Sequence, residues 1–162
     1  MTTERDRDSS GRPEQSRPRD ALGRPLPYGS TGVPPLSEPL PTEPRTAVAL
    51  AQELLDAGLP FQAHEALEAM WHNCPAEQRD GWQGLAQVAV AITHDGRGNR
   101  HGTEQLLHRA ATRLQAGGDA LPEPVDVAAV LDWLADARRR ASAGNRLPTG
   151  LRLCAAPTSE TG

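Results

Sequence analysis

The chain has 162 residues, enough for one domain, with a formal net charge of −4 and 15 prolines. A mildly acidic chain without a basic stripe in its central part disfavours a folded surface for nucleic acid. No apolar run approaches the ~18 residues that a membrane-spanning helix needs, so none is predicted.

The cysteines and the composition of the N-terminal stretch indicate the cellular compartment. Cys74 and Cys154 are too far apart to indicate a disulfide framework or a paired-cysteine metal site. The stretch Met1–Arg24 is charged and lacks the apolar segment of a signal peptide. These features predict a cytoplasmic protein.

The first unit in chain order is an arm, residues 1–44, which holds nine of the prolines. Proline at this density opposes both helix and central strand, so an extended or disordered arm is expected. Leu22, Leu26 and Tyr28 are apolar anchors by which it could instead lie across the domain. A helical domain over 45–142 and a flexible Gly/Pro-rich tail over 143–162 complete the expected organisation.

Between arm and tail, apolar residues recur at intervals of three and four, which is the helical period. Proline and glycine punctuate this pattern, and Asn99 is suited to cap a helix. The predicted helices cover 45–57, Pro60–Asn73, Glu77 or Asp80 to Thr93 or His94, Asn99 to Leu114–Ala116, and Val125 to about Ala141. No period-two pattern occurs, so the sequence predicts an all-α fold, a compact up-and-down bundle of about five helices.

The second predicted helix carries polar side chains among its largest apolar ones. At 100° per residue, His64 falls between Phe61 and Trp71, with Glu68 beside it and Glu65 at the rim. Burying such polar groups is costly unless they have hydrogen-bond partners. We therefore expect partners on a neighbouring helix.

The third predicted helix offers them. It is apolar nearly all round, which is typical of a buried helix, but Gln83, Gln87 and His94 lie on one side of it. We expect His64 and Glu68 to point toward Gln87 and His94, with Trp71 walling the shared site.

Three interpretations of this cluster remain open. It could be a structural hydrogen-bond network that fixes how two helices pack. It could be a divalent metal site in which His64, Glu68 and His94 are the ligands, since His64 and Glu68 are one turn apart. It could also be a metal-free ligand pocket.

Three motifs in order resemble the domain of unknown function 309 family. They are Phe61–Trp71 (FQAHEALEAMW), Trp82–Ala91 followed by His94, and Gly98-Asn99 with Gly102 and Leu106-Leu107. The match spans roughly 47–115, and the arm between Arg17 and Tyr28 is similar to a stretch that precedes the domain in some members. The resemblance implies a compact helical bundle without an established activity. The resemblance points to the same candidate site residues as the helical periodicity, namely His64, Glu65, Glu68, Trp71, Gln87, His94 and Asn99.

Two functions fit these residues. The first is a helical binding or structural module, with a small molecule or a protein as its partner. The alternative is a metal-dependent hydrolase in which Glu65 is the catalytic general base beside an ion held by His64, Glu68 and His94.

Overall fold

Five α-helices form the bundle in the computed structural model, which describes residues 17–155. They are α1 (Pro44–Asp56), α2 (Pro60–Asn73), α3 (Arg79–Gly96), α4 (Arg100–Gly117) and α5 (Val127–Ser142). Consecutive helices pack against one another. Two isolated bridges are the only β pairing among the described residues. The prediction of an all-α fold with five helices is confirmed.

Local sequence determines where these helices begin. The carboxylate of Glu43 accepts the backbone N–H groups of Arg45 and Thr46 at the start of α1. The side chain of Asn99 accepts from Gly102 N at 3.0 Å, so Asn99 caps α4 as predicted. At the end of α1, Gly58 adopts a φ of +74°, which glycine tolerates without strain.

Helix α3 lies in the middle of the bundle and contacts both α2 and α4. Trp82 and Leu85 on this helix are fully buried. An ideal Cβ placed on Gly84 would lie only 2.8 Å from Leu114 Cγ of α4. A glycine at this position therefore allows the two helices to approach closely.

The segment after α5 differs from the flexible tail that its composition predicts. Leu153 is fully buried, and Leu151 is 7% exposed. The side-chain amide of Gln52 on α1 accepts from Leu153 N at 2.8 Å and donates to Leu151 O at 3.0 Å. Two buried leucines and a paired backbone hold this segment in place despite its glycine and proline content. Residues 156–162 lie outside the described part.

In the range 17–155, no helix is both long enough and apolar enough to cross a membrane.

Leu153→Ala should lower the free energy of unfolding by about 2–5 kcal/mol, because it removes a fully buried side chain. Arg152→Ala is the matched control, since this exposed neighbour should change stability by about 0.5 kcal/mol or less. Urea denaturation followed by circular dichroism measures both. Equal, small effects would show that the tail does not pack on α1.

Candidate functional site

His64 lies on α2 with its side chain 24% exposed. Its Nε2 is 3.4 Å from Glu68 Oε2, one helical turn further on. Its Nδ1 is buried and has no hydrogen-bond partner among the described residues. Burial lowers the pKa of His64, and the nearby carboxylate of Glu68 opposes that shift. Burial outweighs the carboxylate, so the neutral imidazole is favoured.

Glu68 is more exposed than the sequence predicts. Its side chain is 40% exposed and lies between two histidines, with His72 Nε2 3.6 Å from its Oε1. The reason is the rotation of α2. The helix turns Ala63, Leu67 and Met70 fully inward, so the polar stripe lies at the flank of the bundle.

The same rotation of α2 determines the position of Trp71. It is half-buried, packs against the core, and its ring lies 4.5 Å from that of His72. That position is compatible with a wall of a site at the flank, in place of one deep between helices.

His94 is part of a different contact, at the turn between α3 and α4. Its Nδ1 is 3.1 Å from Asn99 Nδ2. Because Asn99 Oδ1 accepts from Gly102 N, its amide nitrogen is the donor and His94 Nδ1 the acceptor. Burial, aided by the positive charge of Arg97, lowers the pKa of His94, in agreement with this neutral ring.

Gln87 is half-buried on α3, and its Oε1 is buried without a partner in the described chain. Among the described residues, no hydrogen bond joins His64 to α3. The expectation that His64 and Glu68 converge with Gln87 and His94 therefore stays a prediction.

The structure brings the predicted ligands together in two separate pairs. His64 contacts Glu68, whereas His94 contacts Asn99. Within residues 17–155, no three His, Cys, Asp or Glu side chains are grouped so that they could hold a metal ion. The hydrolase alternative thus gains no support from the geometry.

Glu65 is half-buried on the same flank of α2. Burial raises the pKa of this carboxyl, while the charge of Arg19 in the arm lowers it. Because Arg19 also lies over the ring of Phe61 on α2, the arm is close to the face that carries the predicted site.

The arm docks on α2 through Phe61. The guanidinium carbon of Arg19 is 5.9 Å from the centroid of the Phe61 ring, and the backbone of Gly23 lies directly on that ring. The ring of His64 also lies near that of Phe61, with centroids 5.9 Å apart. Phe61 thus has both the arm and His64 as neighbours. Further along, Gln62 Nε2 donates to Pro34 O at 2.6 Å.

A second docking point is the end of α3. The Leu22 side chain packs on Gly96, where an ideal Cβ would lie 2.7 Å from Leu22 Cδ2. Arg97 donates to Leu22 O, at 3.0 Å from its Nε. Of the two sequence alternatives, the described part of the arm follows the docked one.

Sequence reasoning did not single out Arg19, Gln62 and Arg97, which join the arm to the bundle. Leu22 gave a signal, as an apolar anchor in a polar segment. The glycine at position 96 became informative only when the structure placed it opposite that leucine.

Comparison with known proteins places this site in a family segment. Residues 48–106 match the model of the family described as Domain of unknown function (DUF309). The uncharacterized protein YpuF of Bacillus subtilis (strain 168) is 39% identical over 57 residues, which are 35% of this chain and 33% of that protein. The chain thus spans about a third of the length of this curated relative. No solved structure matches.

The matched segment begins in α1, includes α2 and α3, and ends within α4. It therefore holds every site residue that the sequence singles out, while the arm lies outside it. Residues 48–106 carry the signature of the domain of unknown function 309 family, which confirms the resemblance that the three motifs indicate.

Proposed function

We propose that this protein is a helical binding module that holds an extended, proline-rich segment against α2 and the α3–α4 turn. The observation that carries the proposal is the pair of hydrogen bonds from bundle side chains to backbone carbonyls of the arm. Gln62 donates to Pro34 O and Arg97 donates to Leu22 O. In the described structure the bound segment is the chain's own arm.

This mode of binding suits the chemistry of the segment. Proline has no N–H, so a proline-rich segment presents carbonyl acceptors and apolar rings for recognition. Domains that bind such segments use aromatic surfaces together with donors to those carbonyls. Phe61 beneath Gly23, with Gln62 and Arg97 as donors, supplies both elements.

Buried polar atoms without partners support a binding role. Arg19 Nε and His64 Nδ1 are buried without partners among the described residues, and so is Gln87 Oε1. Buried polar atoms are usually paired, because leaving them unpaired costs about 1–3 kcal/mol each. We propose that His64 and Gln87, together with His94, hydrogen-bond to a protein partner whose extended segment replaces the arm.

We further propose that the protein works in the cytoplasm. In this proposal, residues 1–44 are the arm and residues 45–142 are the binding domain. A small polar molecule between arm and bundle is the second class of partner that the unpaired atoms would accept.

A fluorescent peptide of residues 17–36 tests the proposal on the full chain carrying Leu22→Asp. The new carboxylate would face Gly96 and release the arm from the bundle. The peptide should bind this variant at least about tenfold more tightly than wild type, because the tethered arm competes at an effective concentration in the millimolar range. Fluorescence anisotropy measures both affinities.

Two controls define this experiment. Thr31→Asp adds the same charge at an exposed arm position and should behave like wild type. A peptide that itself carries Leu22→Asp should bind neither protein. Equal peptide affinity for wild type and Leu22→Asp, or no affinity for either, would contradict the proposed function.

The dependence of stability on pH should report the buried state of His64. The pKa of His64 lies below its ordinary value of 6.5 in the folded protein, so the unfolded chain binds more protons between the two values. Its contribution therefore reduces the free energy of unfolding as the pH falls below about 7, until the folded pKa is passed.

His64→Gln should remove that contribution, so the loss of stability between pH 7.5 and 5 becomes smaller than in wild type. His101→Gln, at an exposed position of α4, should leave the wild-type curve unchanged. Urea denaturation at each pH provides the comparison. A His64→Gln curve parallel to that of wild type would mean that His64 titrates as it does in the unfolded chain.

A further inference from the structure

A cavity of about 340 Å³ lies between the α3–α4 turn and the loop that follows α5. Three arginines line it, namely Arg97, Arg100 and Arg146, against one carboxylate, Asp95. The charged lining thus has a net positive charge of two. Arginines that converge from three places in the fold form a surface suited to an anion.

Arg146 is fixed by the carboxylate. Its Nε lies 3.0 Å from Asp95 Oδ2, and the same oxygen accepts from Leu147 N at 3.4 Å. Asp95 is only 16% exposed, whereas the Arg146 side chain is 78% exposed, so the carboxylate is shielded and the guanidinium faces solvent. The contact uses Nε, which leaves both terminal nitrogens of Arg146 as donors within the described chain.

The other two arginines are also anchored and also retain donors. Arg97 uses Nε and one terminal nitrogen on Leu22 O, and Arg100 uses one terminal nitrogen on Gly144 O. A guanidinium carries five N–H donors. Arg97 lies at the end of α3, where a positive charge stabilises the C-terminus of a helix, so its charge has a structural explanation. That explanation does not apply to Arg100 or Arg146.

An adjoining cavity extends the site. It measures about 420 Å³ and shares Asp95 and Arg146 with the first. Ile92 and Trp133 line its wall, and the indole Nε1 of Trp133 is buried without an acceptor among the described residues. A ligand that spans both cavities would meet guanidinium groups at one end. At the other end it would meet the side chains of Ile92 and Trp133, with the carboxylate of Asp56 in the same lining.

We propose that the two cavities bind a phosphate monoester whose organic part carries a hydrogen-bond acceptor. Doubly charged phosphate matches the charge of the arginine cavity, and guanidinium forks pair with phosphate oxygens in a bidentate manner. The organic part lies against Ile92 and accepts from Trp133. Each cavity falls within the range of about 300–1,000 Å³ that is typical of small-molecule sites. Arg97 also holds the arm, whereas the residues varied below, Arg146 and Trp133, are not among those that dock it, so the two proposals can fail separately.

Isothermal titration calorimetry on the full chain tests this site with AMP, adenosine and inorganic phosphate as probes. AMP should bind more tightly than inorganic phosphate, and adenosine should give no measurable binding. Arg146→Gln should weaken the affinity for AMP at least tenfold. Arg139→Gln is the matched control, because this exposed arginine, paired with Asp136, does not line either cavity.

A second variant separates the two ends of the ligand. Trp133→Phe should weaken the affinity for AMP while leaving that for inorganic phosphate unchanged, since it removes only the N–H donor. Circular dichroism would verify that each variant is folded, with Arg100→Gln replacing Arg146→Gln if the latter is not.

Equal affinities of the arginine variant and the Arg139→Gln control would overturn the phosphate site. Binding of neither AMP nor inorganic phosphate up to about 5 mM would also overturn it. Equal affinities for AMP and inorganic phosphate in wild type would overturn the part of the proposal that concerns the organic group.

Discussion

The packing of the arm on the bundle is the interaction on which the rest of the site depends. Leu22 lies on Gly96, and Gly23, with a φ of +73°, lies against the ring of Phe61. Both contacts need a glycine, because a side chain at either position would displace the arm. Two small residues, one on each partner, thus allow an extended segment to lie close to a helical surface.

This contact places the polar side chains of α2 in an intermediate environment, neither in the core nor in bulk water. His64 lies next to Phe61 and shares its flank with Glu65, whose carboxyl interacts with Arg19 of the arm. His94 has a different task, since it accepts from Asn99 and ties the end of α3 to the start of α4. The segment that matches the family model therefore contains histidines in two different roles: His64 lies on the flank of α2, and His94 holds the turn between α3 and α4.

The helices could be predicted from the sequence because apolar periodicity and capping residues are local signals, as the cap of α4 by Asn99 illustrates. The rotation of α2 could not, because small residues such as Ala63 compete with large ones for the inward face, and only packing decides between them. The order of the tail depends on Gln52, about a hundred residues away, whose pairing with Leu153 has no local signal. The cavity lined by arginines was missed for the same reason.

Nuclear Overhauser contacts between the Leu22 methyl groups and the Hα atoms of Gly96 test the docking of the arm most directly. The packing described here brings these groups into van der Waals contact, so strong cross-peaks are expected in the full chain. A spectrum in which both resonances are assigned but no cross-peak joins them would contradict the docked arm.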